Sequence, residues 1–519
     1  MRLASALADR GTTVAFGLPG GGPNLDLVGA FEAHGIDFVL AHAETAACIM
    51  AATWGWVADS VTAAVVTRGP GAASAVNGAA QATLDRQPLL VVTDTVPAVS
   101  RGRVPHQRID QQALLAPVCK ASGVVGSGTT AADVAHAADI ATSWPPGCVH
   151  LDYDTSVGGT VVAPAGSPTP GAVPAAAEAR RLIAAAERPV VIAGVGVIPA
   201  AAEIRSALTA FGAPVFTTYQ AVGTVPAEGS LSAGLFTNGA SERPLLEGAD
   251  LIIAIGLDMV EPIPTAWTYD APVVALATVP ATDPYLPIRV EVVGDLARLV
   301  VELLEAPSNW PSDAGRLHRE SVRTALASGE PSDLFGPVAL TTTLAGHAPS
   351  DATVTVDAGA HFLAIMPFWP VEQPRRLLIS NGLATMGYAV PAAIGAALAR
   401  PGEPVIALTG DGGLGMCLTE LETIVRRELP ILVVVFDDTA LSLIEIKQQP
   451  HHGGTGAVHY QPIDFAAVAQ AMGMPATVVT DATALTAALD AYDHTSPMLI
   501  DARIDASSYP HLLAVTRGT

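Results

Sequence analysis

The sequence predicts an α/β protein built from three doubly wound parallel sheets. Short apolar runs recur along the chain, and each closes in a glycine-rich or acidic loop that leads into a helical segment. A Pro/Gly/Ala segment from Val162 to Pro174 and a polar stretch from Pro307 to Ser332 divide these runs into three groups. The 519-residue length suits about three domains of usual size. The expected domains are residues 1–165, 175–305 and 335–519.

The first part opens with an amphipathic helix carrying Arg2, Asp9 and Arg10, with no signal-peptide pattern ahead of it. Four strands follow. Val14–Phe16 ends in Gly17-Leu18-Pro19-Gly20-Gly21-Gly22, and Phe38–Leu40 ends at His42-Ala43-Glu44. Ala63–Thr67 leads into Arg68-Gly69-Pro70-Gly71, and Leu89–Thr93 into Asp94. In the middle part, Pro189–Ala193 runs into Gly194-Val195-Gly196, and Leu251–Ile255 ends at Gly256. Gly194-x-Gly196 lacks the full dinucleotide fingerprint, so these glycines read as tight-turn residues before they read as a nucleotide site. In the last part, Thr353–Val356, Val405–Leu408, Ile431–Phe436 and Met498–Ile500 read as strands. Leu377–Ala399 is uncharged and long enough to span a bilayer. It also holds Ser380, Asn381, three glycines and Pro391, and therefore reads as a loop followed by a buried helix.

Half of the chain is hydrophobic, 14% is charged, and the net charge is −23. That balance argues against nucleic-acid partners and against anionic membranes. Lysine occurs only at Lys120 and Lys447. Cys48, Cys119, Cys148 and Cys417 are scattered without a CxxC pair, as expected for reduced thiols in a cytoplasmic protein.

The chemistry concentrates between Gly410 and Asp438. Gly410-Asp411-Gly412 follows the Val405–Leu408 run, a helical segment is expected from about Cys417 to Arg427, and the Ile431–Phe436 run leads into Asp437-Asp438. Parallel strands joined by a helix deliver both strand ends to one edge of the sheet, where open α/β sheets bind ligands. Asp411 and Asp438 are therefore expected to converge. Two carboxylates, a backbone carbonyl and phosphate oxygens together suit Mg²⁺. Gly412 and Gly413 would let the backbone approach a diphosphate closely. The bland alternative is a plain βαβ unit with a solvated acidic turn.

The segment GDGGLGMCLTELETIVRRELPILVVVFDD resembles the thiamine diphosphate signature, in which GDG is followed at this distance by an Asn-Asn pair. Here Asp437-Asp438 stands in place of Asn-Asn. The order of the three parts resembles the pyrimidine-binding, middle and diphosphate-binding domains of the acetolactate synthase-like branch (2-oxo acid decarboxylases and carboligases), over essentially the whole chain. The resemblance implies thiamine diphosphate and Mg²⁺ as cofactors. It implies Gly410, Asp411, Gly412 and Gly413 at the diphosphate, and Asp411, Asp438 and the carbonyl of Ala440 as protein ligands of the metal.

Further roles follow from the same resemblance. Glu44, in HAETAACIMAATWGW, matches the carboxylate that activates the aminopyrimidine; a helix-dipole contact is the alternative. In SNGLATMGYAVPAAIGAALA, Met386 matches the apolar wedge that bends the cofactor, or is core filler. The carbonyl of Ala384 would accept from the aminopyrimidine. His361, in Asp357-Ala358-Gly359-Ala360-His361, matches a diphosphate-contacting loop; a surface histidine is the alternative. Gly21 and Gly22 match a loop that faces the thiazolium from a partner subunit. Gln107 would contact substrate, and His106 is either a proton donor or an exposed loop residue. Leu443, Ile444 and Lys447 share a helical face toward the substrate pocket. Lys447 would pair with an anionic substrate group or extend to solvent.

Because Glu44 and GDG lie in different domains, the resemblance implies a homodimer or homotetramer with sites between subunits. Some relatives carry FAD in the middle domain, and nothing in these residues calls for it. The expected activity is decarboxylation of a 2-oxo acid and carboligation to a carbonyl acceptor. A 2-hydroxy ketone or 2-hydroxyacyl-CoA lyase and a non-catalytic paralogue are the alternatives.

Overall fold

Strands buried on both faces need near-continuous apolar runs, and parallel sheets covered by helices supply that environment. The computed structural model describes residues 2–100, 102–156, 174–263, 265–281, 286–305, 307–452 and 456–518, so the expected linker lies outside them except for its last residue. Among the described residues the strands form three six-stranded sheets, each parallel throughout.

The first sheet holds β1 (Val14–Leu18), β2 (Asp37–Leu40), β3 (Ala63–Val66), β4 (Leu89–Asp94), β5 (Ala121–Gly126) and β6 (Cys148–Asp154), in the order β2-β1-β3-β4-β6-β5. The second holds β7 (Pro189–Ala193), β8 (Val215–Thr217), β9 (Ser232–Leu235), β10 (Leu251–Ile255), β11 (Val273–Ala277) and β12 (Ile288–Val293), in the order β12-β11-β10-β7-β8-β9. The third holds β13 (Thr353–Val356), β14 (Leu377–Ile379), β15 (Val405–Gly410), β16 (Ile431–Asp437), β17 (Ala476–Val479) and β18 (Met498–Arg503), in the order β14-β13-β15-β16-β18-β17. The first and third sheets thus share one topology. In each, the strand order reverses beside its first strand, which opens a crevice at the carboxyl ends.

Several strands were not expected from the sequence. β5 (ASGVVG) and β6 (CVHLDYD) carry polar residues that are satisfied inside the sheet, so their apolar runs are broken. Two expected boundaries also differ. The segment read as one helix from Cys417 is two, Asp411–Cys417 and Glu420–Arg426. Gly410 caps the first with extended backbone, and a carboxylate in its first turn favours an earlier start. Leu377–Ala399 contributes a strand, a loop and the helix Ala389–Ala399, and no described helix is long and apolar enough to cross a membrane.

The first and third units are joined by two helices that are apolar on nearly all sides. Glu44–Ala58 packs against Ala389–Ala399 inside one continuous core. Gly395 makes the approach close: a Cβ there would lie 2.3 Å from the Met50 carbonyl oxygen. A polar knot ties all three units beside this pair. Asp85 accepts from the backbone N–H groups of Asn381 (3.0 Å) and Gly382 (2.6 Å). Arg86 forms a bidentate pair with Asp258 at 2.6 and 2.9 Å, and the Asn381 amide donates to the Glu261 carbonyl at 3.1 Å.

Candidate active site

The carboxyl ends of β13, β15 and β16 and the loop after β14 enclose a cavity of about 870 Å³. It brings together His361, Ala384, Met386, Gly410, Asp411, Gly412, Gly413, Asp438, Ala440, Leu443, Ile444 and Lys447. Asp357, at the end of β13, organises these loops from beneath. Its buried carboxylate accepts from the backbone N–H groups of Ala358 (2.8 Å), Gly387 (2.9 Å) and Ala389 (3.3 Å), and from Thr409 Oγ1 (3.1 Å). Burial raises its pKa to about 6. Sequence reading placed Asp357 in a loop but gave it no role; its position as the first polar residue after a buried strand was the available signal.

The two acidic side chains at the strand tips do converge. One oxygen of Asp411 accepts from the N–H of Gly412 at 2.7 Å, and the other is buried without a well-formed hydrogen bond, with the Tyr460 hydroxyl beside the carboxylate. Asp438 accepts from the Ala440 N–H (3.2 Å) and the Ser442 hydroxyl (2.6 Å). Burial, and then repulsion from Asp438, raises the Asp411 pKa to about 7; burial is the main cause that raises Asp438 to about 6. A buried carboxylate oxygen without a well-formed hydrogen bond is costly unless a cation meets it. The neighbouring backbone is bare by necessity. A Cβ on Gly412 would lie 2.7 Å from Leu441, and one on Gly413 would lie 2.9 Å from the Asp357 carboxyl. These residues would fit a divalent cation at the two carboxylates and a phosphate group against the bare backbone. The solvated acidic turn does not describe them, since Asp411 is only 4% exposed.

His361 is 3% exposed, so it is not a surface histidine. Its ring lies against Phe436, its Nε2 has no hydrogen-bond partner, and burial lowers its pKa to about 4. It therefore presents a neutral imidazole to the cavity. Ala384 adopts a left-handed backbone (φ +52°), which turns the chain between Ser380 and Met386. Leu443, Ile444 and Lys447 all line the cavity wall, as their shared helical face requires.

Glu44, Gly21, Gly22, His106 and Gln107 do not line this cavity. Glu44 and Gln107 lie beside the Arg68–Gly71 loop at the carboxyl edge of the first sheet, and a Cβ on Gly22 would lie 3.6 Å from the Asp94 carboxyl there. A Cβ on Gly71 would lie 3.3 Å from Glu44 Oε1, and one on Gly69 would lie 2.7 Å from the Gln107 carbonyl. Gln111 accepts from the Gly69 N–H at 2.9 Å, and Asp94 accepts from the Arg68 N–H at 2.7 Å. Gly21, Gly22, His106 and Gln107 are exposed, and Glu44 is half-buried.

In the middle unit Glu261 ties together the turns that follow β7 and β10. Glu261 accepts from the N–H groups of Val195 (3.0 Å) and Asp258 (3.0 Å) and from the Thr218 hydroxyl. A Cβ on Gly194 would lie 2.6 Å from Glu261 Oε2, and one on Gly196 would lie 2.8 Å from Gly256 Cα. The N–H groups that a dinucleotide phosphate would use are taken by the chain's own carboxylate. The glycines serve close packing of two turns, and a cavity of about 920 Å³ opens beside them at the carboxyl ends of β10 and β11, lined by Arg86, Gly256, Asp258, Thr278 and Glu291.

Comparison with known proteins agrees with this arrangement. Three family profiles match in order: "Thiamine pyrophosphate enzyme, N-terminal TPP binding domain" over residues 2–114, the "central domain" over 176–303, and the "C-terminal TPP binding domain" over 357–502. Thiamine pyrophosphate is another name for thiamine diphosphate. The chain is 29% identical to an acetolactate synthase of Bacillus subtilis (strain 168), covering 97% of this chain and 93% of the relative. It is 29% identical to a catabolic acetolactate synthase of Raoultella terrigena, covering 98% and 96%. It is 28% identical to the acetolactate synthase isozyme 3 large subunit of Escherichia coli (strain K12), covering 99% and 96%. The chain belongs to the thiamine pyrophosphate enzymes and is an acetolactate synthase-like, thiamine pyrophosphate-dependent carboligase/decarboxylase.

Proposed function

We propose that the protein decarboxylates a 2-oxo acid and joins the resulting acyl unit to a carbonyl acceptor, with Mg²⁺ anchoring the cofactor. The observation that carries the Mg²⁺ reading is the convergence of the buried Asp411 carboxylate with Asp438, beside Ala440 and a glycine-lined backbone. Asp411, Asp438 and the Ala440 carbonyl hold the metal, and Gly410, Gly412 and Gly413 leave room for the diphosphate. His361 offers its neutral ring to a phosphate oxygen. When bound, thiamine diphosphate supplies the nucleophilic carbon and the electron sink for decarboxylation. Met386 and the Ala384 carbonyl orient its two rings, and Glu44 holds a proton at the aminopyrimidine nitrogen. Gln107 and His106 contact substrate over Gly21 and Gly22. Leu443 and Ile444 form an apolar wall, with Lys447 facing an anionic group.

Glu44 lies outside the cavity of its own chain, so a second copy completes the site, and a homodimer is the smallest active unit. A homotetramer is two such dimers. On this reading residues 1–165, 175–305 and 335–519 act as pyrimidine-binding, middle and diphosphate-binding domains. The four cysteines are free thiols, which suits the cytoplasm. A screen of 2-oxo acids for CO₂ release, with and without added aldehydes, tests the proposal. Release that yields a 2-hydroxy ketone in the presence of an aldehyde supports it. No CO₂ from any 2-oxo acid, together with cleavage of 2-hydroxy ketones or 2-hydroxyacyl-CoA, would replace it with a lyase.

A further inference from the structure

The helix Glu420–Arg426, which follows the Asp411–Cys417 helix after two residues, is docked along the first unit from Asp37 to Ala43. Arg427, just past its end, pairs with Asp37, and Arg426 donates to the Leu40 carbonyl at 2.6 Å. Glu422 meets the His42 ring at 2.7 Å. Glu420 accepts from the backbone N–H groups of His42 (2.9 Å) and Ala43 (3.2 Å) on one oxygen, and from the Thr423 hydroxyl (2.8 Å) on the other.

The outer contacts are exposed ion pairs and hydrogen bonds, which hold little in water. Glu420 is different, being 0% exposed. Removing its carboxylate leaves two peptide N–H groups without their acceptor directly ahead of Glu44. The helix that Glu44 opens has no cap of its own, because Ala43 is its N-cap residue and offers no side-chain acceptor. The backbone just ahead of Glu44 is therefore held by a residue of another unit. Sequence reading missed this, since an acidic residue in the first turn of a helix reads as a dipole contact.

We infer that Glu420 is the positioning residue for Glu44: it fixes the His42–Ala43 backbone and thereby aims the Glu44 carboxylate at the aminopyrimidine of the cofactor bound by a second copy. The inference rests on the role of Glu44 proposed above. It also ties the helix after one diphosphate loop to the carboxylate that serves another site, since Glu44 does not line its own chain's cavity.

Two measurements on the full-length protein test it, using Glu420→Ala, Glu420→Gln and Glu44→Gln. The first is amide hydrogen exchange of the peptide spanning 37–47 in cofactor-free protein. The second is hydrogen–deuterium exchange at the thiazolium C2 of bound thiamine diphosphate, followed by quenching and NMR. Glu420→Ala should speed amide exchange at His42 and Ala43 and slow C2 exchange by at least about tenfold, because a misplacement of about 1 Å in a positioned group costs up to about a hundredfold. Cofactor affinity should stay within about threefold, since Glu420 touches none of the cavity residues that hold the diphosphate. Glu420→Gln keeps an acceptor oxygen and should restore most of the C2 exchange rate. C2 exchange at the wild-type rate in folded Glu420→Ala, with Glu44→Gln slow, would overturn the inference while leaving the role of Glu44 intact. Wild-type C2 exchange in Glu44→Gln would remove the reading on which both rest.

Discussion

Replacing Asp438 by Asn removes one of two carboxylates that repel each other in the cofactor cavity while keeping nearly the same shape. The amide oxygen can still accept from the Ala440 N–H, and the amide nitrogen can face the Ser442 hydroxyl. In the cofactor-free protein Asp411 is lifted from 3.8 to about 7, and burial is a larger cause than Asp438. Repulsion from Asp438 is the second cause of that rise, so removing its charge lowers the Asp411 pKa and relieves part of the destabilisation. The sign follows from proton binding. Between pH 4 and about 7 the folded protein holds a proton on Asp411 that the unfolded chain has released. Stability therefore falls as pH rises through this window and stays low above it. Asp438→Asn should raise the thermal midpoint of the cofactor-free protein at pH 8 by a few degrees and leave it unchanged at pH 4. With Mg²⁺ and thiamine diphosphate present the order should reverse, because the wild-type pair then meets a cation. Differential scanning fluorimetry across pH, with and without the two ligands, reads both effects. An equal gain at pH 4 and pH 8, or no gain at either, would refute the view that Asp411 and Asp438 face each other as unneutralised charges.

Other outcomes follow from the same geometry. Gly395→Ala should destabilise the protein by ~1–3 kcal/mol, since the new methyl meets the Met50 carbonyl, whereas Gly346→Ala, with open space around it, should stabilise by ~0.5–1 kcal/mol. Urea unfolding of the pair measures the contrast. Glu261→Ala should cost ~1–3 kcal/mol for each buried N–H it strands at Val195 and Asp258, and Glu261→Gln should cost less; unchanged urea midpoints in both would contradict the role of Glu261 in holding these two turns. Glu44→Gln should lower kcat by about 10²–10⁴-fold while cofactor affinity changes little, as expected for loss of a proton-holding group. Steady-state kinetics beside a cofactor titration separates those two effects.

The sequence made the central strands of each sheet legible, because β1, β3, β4, β15 and β16 are continuous apolar runs. Their order placed Asp411 and Asp438 at one edge before any coordinates were known. The strands that escaped, such as β5 and β12, are interrupted by Ser, Gly, Arg or Glu and depend on neighbouring strands for their identity. The Asp411–Asp438 pair, the glycine loop and the Leu443–Lys447 face were readable from strand ends and helix spacing. Asp357, Asp85, Glu261 and Glu420 were not. Each is a buried acid that accepts from backbone N–H groups, and two of the four, Asp85 and Glu420, reach across units. Local pattern carries no record of such contacts, because a carboxylate near a strand end or helix start looks the same whether it faces solvent or a loop far away in sequence.

Calorimetric titration of thiamine diphosphate into the cofactor-free protein, with and without Mg²⁺, tests the central claim most directly. Binding of one molecule per chain that requires Mg²⁺ and is lost in Asp411→Ala is the predicted result. Equal binding without a divalent cation, or in Asp411→Ala, would contradict it.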